Sequence, residues 1–130
     1  MSYYFSKIIS GKSFDEVIEL VTAELKKEGF GVVTEIDMKD TLKKKIDVDF
    51  RKYKIIGACH PQYAYKILMA EDKIGVFLPC NVVVQEKENG NIEVFAVDPV
   101  ASMVAVKNES LMDIALEIQQ KMKSVIESII

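Results

Sequence analysis

The chain has no tryptophan, one histidine, two cysteines and three prolines among its 130 residues. Each scarcity removes a class of explanation. Two cysteines cannot build the disulfide framework of a small secreted module, and a chain of this length buries a sizeable core without such staples. No segment approaches the roughly 20 continuous apolar residues of a membrane span, and the opening MSYYFSKIISGKSFDEV lacks the apolar run of a signal peptide. Neither a membrane nor export is therefore expected. Positive charge is not in excess either, with 17 Lys and Arg against 20 Asp and Glu and a net charge of -3. Such a balance argues against a surface that neutralises many phosphates, so nucleic acid is not an expected partner. There is also no linker, repeat or low-complexity tract, and the expectation is a single cytoplasmic domain over residues 1–130 with Cys59 and Cys80 as free thiols.

The order that is present begins with YYFSKII at residues 3–9, aromatic and β-branched, which predicts a strand. SFDE follows, with Ser13 as helix cap and Glu16 as its capping-box partner. Phe14, Val17, Ile18, Val21 and Leu25 then recur at helical spacing up to Gly29, a left-handed stop. FGVVTEID predicts a strand with Val32, Thr34 and Ile36 on one face and Val33, Glu35 and Asp37 on the other. Asp37 is placed to cap a short helix in MKDTLKKKI. YKIIGAC, GVFLPCNVVVQE and NIEVFAVD predict three more strands, the last two joined through KENG as a hairpin, with positive φ at Asn89 and Gly90. From Asn108 to Ile130 a single stripe of Leu111, Ala115, Ile118, Met122, Val125 and Ile129 predicts a long closing helix, packed on the sheet rather than paired as a coiled coil.

These elements predict an α+β domain with a mostly antiparallel sheet and helices packed on one face. The blocks GFGVVTEID, YKIIGACHP, the alanines at positions 64 and 70, GVFLPCNVVV, and DPV followed by Met103 resemble, in order, the signature of the bacterial and archaeal family called domain of unknown function 302. The resemblance spans residues 1–128. It implies a TATA-binding-protein-like β-α-β(4)-α arrangement, commonly a homodimer, and no established activity. One position departs from it: this chain has His60 where that family commonly has Asn, so ACHP stands in place of ACNP.

The candidate site lies in GACHPQYAYKILMAEDKIGVFLPCNV, which holds the only histidine and both cysteines. His60 followed by Pro61 reads as strand end, cap and first helical residue. Cys59 then stands near the positive end of a helix, where a thiolate or a bound anion is favoured. The opposing reading makes Cys59 a small buried hydrophobe. A zinc ion at Cys59, His60 and Cys80 is a further alternative, although three ligands fall short of a structural zinc set and no cofactor is the expectation. Pro79 inside an apolar strand predicts a sheet edge or a bulge, with Asn81 beside it. Glu35 could face the same cleft, or water. The expected ligand-binding residues are thus Cys59, His60, Pro61, Pro79, Cys80, Asn81 and Glu35. The expected function is a homodimeric small-ligand or anion-binding module; a thiol- or metal-dependent enzyme and a structural or protein-interaction module remain the alternatives.

Overall fold

The computed structural model describes residues 2–130. Strand β1 (Tyr4–Ile9) leads to α1 (Phe14–Lys27), β2 (Gly31–Asp37), α2 (Met38–Ile46), β3 (Tyr53–Cys59) and α3 (Pro61–Ala70). A 3₁₀ segment, Asp72–Phe77, precedes the hairpin of β4 (Cys80–Glu86) and β5 (Ile92–Val97). Helix α4 (Pro99–Val106), a short 3₁₀ turn and α5 (Met112–Ser128) close the chain. The five strands form one sheet in the order β1-β5-β4-β3-β2, with every neighbouring pair antiparallel. The domain is therefore α+β, as expected.

Helix α1 forms where the capping signal predicts it. The Ser13 hydroxyl accepts from the Glu16 amide, and the Glu16 carboxylate accepts from the Ser13 amide, both at 3.1 Å. Each bond satisfies an amide that the first turn leaves without a partner. Phe14, Val17, Val21 and Leu25 are all buried, and Gly29 ends the element at φ +89°. At ~1.5–3 kcal/mol for each fully buried large apolar side chain, this stripe outweighs the helix propensity of its sequence.

Antiparallel register decides which side chains share a face. Ile56, Val82 and Ala96 line up across β3, β4 and β5, as do Ala58 with Cys80 and Val84 with Val94. This face is buried and meets α1 and α5, where Ala115, Ile118, Met122, Val125 and Ile126 complete the core. All six residues of the predicted closing stripe are buried, with Leu111 and Ile129 just outside the helix proper. The other face carries Ile36, Ile55, Val83 and Phe95 in a row across β2 to β5.

Four expectations need correction. Pro79 marks neither an edge nor a bulge: β4 lies between β3 and β5, and Pro79 immediately precedes its first paired residue. A proline at that position removes no ladder hydrogen bond, which is why an interior strand tolerates it. The Leu78–Pro79 peptide is cis. The apolar run GVFLP before it is a 3₁₀ segment and a turn rather than strand, with Gly75 inside it and Val76 exposed. The bulge lies instead in β2, where pairing passes from Val32–Ala58 to Thr34–Gly57 and skips Val33. That extra residue breaks the alternation, so Val32 and Thr34 face opposite sides. Finally, in the β4–β5 turn only Gly90 takes positive φ, at 85°; the Asn89 side chain instead accepts from the Asn91 amide.

Helix α4 has no counterpart among the predicted elements. Asp98 caps it by accepting from the Val100 amide at 3.0 Å, and Pro99 occupies its first position. The Asp98 carboxylate is buried, so a second donor matters, and Gln119 of α5 supplies one at 3.0 Å. The backbone amide of Asp98 donates to the Tyr3 carbonyl at 2.8 Å. One residue thereby ties the start of β1, α4 and α5 together.

Candidate functional site

The site is the place where β3 ends, α3 begins and β4 begins. Ala58 and Cys80 face each other across the ladder at this end of the sheet. Beyond Ala58 the chain leaves the sheet through Cys59 and His60 and enters α3 at Pro61, so α3 projects Tyr63, Ala64 and Ile67 over the sheet end. The Leu78–Pro79 turn approaches from the other side, and Ile118 of α5 closes the base. Between them lies a half-open cavity of about 210 Å³, completed by Phe30 and by the bulged Val33. A bulge beside a cavity is a recurrent arrangement, because the extra residue re-aims a side chain without disturbing the remaining ladder.

Close approach of β3 to the turn depends on Gly57. A Cβ there would run into Thr34 Oγ1 and would stand 2.6 Å from Pro79 Cγ. With only hydrogen at that position, the Pro79 ring lies against the sheet backbone and fixes one wall of the cavity.

His60 has the extended backbone of a helix cap, φ -103° and ψ 100°, but its side chain makes no capping hydrogen bond. Its ring packs instead. The Tyr63 ring lies 4.3 Å away centre to centre, and Phe30 meets it edge-on at 5.4 Å. Its Nδ1 is buried without a partner. Nε2 sits so near Gly29 that a Cβ on that residue would be 2.6 Å from it. Burial, reinforced by the charge of Lys121, pushes the imidazole below its ordinary 6.5, which keeps it neutral at pH 7. Burial and the Glu117 carboxylate push the Tyr63 phenol upward.

Cys80 is more deeply held, and burial followed by the neighbouring Cys59 pushes its thiol up to about 11. At pH 7 it is a protonated, weakly polar surface rather than a nucleophile. Cys59 is half-buried at the strand end, and both cysteines are free. Among the described residues, no three His, Cys, Asp or Glu side chains come together as a metal-binding group. Cys59, His60 and Cys80 therefore share a cavity without forming the ligand set that a zinc ion needs.

Four of the seven expected residues, Cys59, His60, Pro79 and Cys80, line this cavity. Pro61 is exposed at the first turn of α3, beside the cavity and not in its wall. Asn81 pairs with Gly57 and is exposed on the opposite sheet face from Ala58 and Cys80. Glu35 lies on the edge strand across from Ile56, exposed and outside the lining. Phe30, Tyr63 and Ile118 were not expected there. They come from the turn before β2, from α3 and from α5, and only the tertiary packing brings them to one place.

Residues 6–129 match the family described as domain of unknown function DUF302. The chain belongs to that family. It is also similar, over all of both chains, to the crystal structure of an uncharacterized conserved DUF302 protein from Bacillus stearothermophilus, at 27% identity and a TM-score of 0.91. The blocks that suggested the family thus led to it. No curated protein matches the chain. Membership of DUF302 assigns an architecture and no activity, so function has to be argued from the cavity.

Proposed function

We propose that this DUF302 chain is a small-ligand-binding protein whose site is the cavity between the start of α3 and the start of β4. The observation that carries this reading is the cavity itself: about 210 Å³, half-open, with an apolar lining that includes no charged side chain. A concave, mostly apolar recess with a few polar groups is the usual form of a small-molecule site. The polar side chains in its wall are those of His60, Tyr63 and the two cysteines. The lining favours a neutral ligand over an anion. The start of α3 offers free amides, but no cation stands in the wall to support them.

The thiol-enzyme alternative draws no support from Cys80, whose thiol stays protonated at neutral pH. It rests on Cys59 alone. The TATA-binding-protein-like comparison is one of element order and brings no function with it. Free thiols and the absence, among the described residues, of any helix long and apolar enough to cross a membrane are compatible with a cytoplasmic setting.

The proposal extends to a homodimer, with the contact on the outer sheet face. What needs cover is the row of Ile36, Ile55, Val83 and Phe95, flanked by the exposed Tyr4 and Ile8. Two copies related by a two-fold axis would bury it.

Ligand-dependent stabilisation tests the site. A compound at ten times its dissociation constant should raise stability by ~1.4 kcal/mol, read as a shift of the thermal midpoint across a panel of neutral single-ring compounds. Ala64→Phe, which fills the cavity from α3, should abolish the shift. A panel that leaves the midpoint unmoved, or shifts that survive Ala64→Phe, would refute a site here.

A further inference from the structure

A second, smaller cavity of about 30 Å³ lies directly behind the first and shares Ile67, Leu78, Cys80 and Ile118 with it. Part of its wall comes from α4, through Pro99, Ser102 and Met103. The shared side chains are apolar or, in Cys80, a protonated thiol, so nothing charged separates the two spaces. We propose that they are two lobes of one site, and that its ligand is a neutral single-ring compound carrying a short unbranched alkyl tail. This deepens the ligand-binding reading above and rests on it.

Size sets the ring. An apolar cavity of about 150 Å³ accepts benzene, and the outer lobe of about 210 Å³ exceeds that by little more than one substituent. Shape sets its flatness: Phe30, His60 and Tyr63 form a wall of packed rings, and aromatic faces and edges pack best against another ring. The inner lobe sets the tail. At about 30 Å³ it is a fraction of the ~150 Å³ that takes a six-carbon ring, so a tail gains from its first two or three carbons at most. Ser102 is the one hydroxyl in its lining, so the polar substituent of the ligand stays at the open side, near Tyr63 and Glu117.

Calorimetric titration with phenol and its 4-methyl, 4-ethyl, 4-propyl and 4-pentyl homologues tests this. Phenol should bind, and affinity should rise about fourfold for each of the first two or three carbons, then level off. Ser102→Leu, which fills the inner lobe from α4, should remove the increments and leave phenol affinity unchanged. If that variant does not fold, the wild-type series still decides. Phenol binding with no gain from the first carbon, gains that continue through pentyl, or gains that persist in a folded Ser102→Leu protein would each overturn the two-lobe site while the outer-lobe reading stands. Failure of phenol and every homologue to bind would remove both.

Discussion

Replacing Gly57 by alanine puts the architecture of the cavity under direct strain. The added Cβ would stand 2.6 Å from Pro79 Cγ, where carbon atoms ordinarily rest about 3.5–4.0 Å apart. The Thr34 side chain, which it would also meet, is exposed and can rotate away. The Pro79 ring has no such freedom. The ladder through Gly57–Asn81 and Ala58–Cys80 holds β3 and β4 in register, so the 78–80 turn has to move by about 1 Å. Overpacking of this kind costs ~1–3 kcal/mol, and the lower entropy of the unfolded alanine chain returns ~0.4–1 of it. The expected net loss is ~1–2 kcal/mol, or roughly 4–8 °C in thermal midpoint for a domain of this size. Circular dichroism melts should show it against Gly31→Ala, where a Cβ meets nothing within 4 Å and little change is expected. Equal midpoints for the two variants would refute the argument that Gly57 exists to admit Pro79.

His60→Asn should alter stability by no more than ~1 kcal/mol at pH 7.5, because a gained cap offsets lost packing on Tyr63 and Phe30. Its imidazole is held below 6.5 in the fold, so the native state resists protonation, and stability present above that value is lost as pH falls through the lower folded one. Wild type should therefore lose more urea resistance between pH 7.5 and pH 5 than His60→Asn does; equal losses would contradict a half-buried histidine held neutral in the fold. Ser13→Ala removes half of the capping box and should cost ~1 kcal/mol in chemical denaturation, whereas an unchanged midpoint would mean the cap is not sustained. Light scattering at micromolar concentration should report twice the chain mass of 14.7 kDa, and Ile8→Lys should shift it towards one. A wild-type monomer would remove the outer-face dimer.

Legibility followed the range of the interactions. Ser13 with Glu16, Asp37 with the Asp40 amide and the apolar stripe of α5 are local patterns, and each predicted its element. Asp98 followed by Pro99 is an equally local cap and first turn, and it could have announced α4. The β2 bulge is hidden because Val32, Thr34 and Ile36 read as one face of an unbroken strand, and only pairing with β3 shows that Val33 is skipped. Pro79 reads as an edge signal in the sequence because its missing amide says nothing about whether it lies inside a ladder or one residue before it. The site was half legible. Chemistry-bearing types drew attention to Cys59, His60 and Cys80, whereas Phe30, Tyr63 and Ile118 are ordinary core residues until α3 folds over the sheet end.

The claim at the centre of this account is that the recess at the ends of β3 and β4 takes a small neutral ring. Amide chemical-shift mapping of ¹⁵N-labelled protein titrated with phenol addresses it most directly. Saturable shifts should concentrate at residues 58–67, at 78–80 and at Ile118, with the outer-face residues Val83 and Phe95 unmoved. Shifts that cluster on that outer face, or none that saturate around the recess, would contradict it.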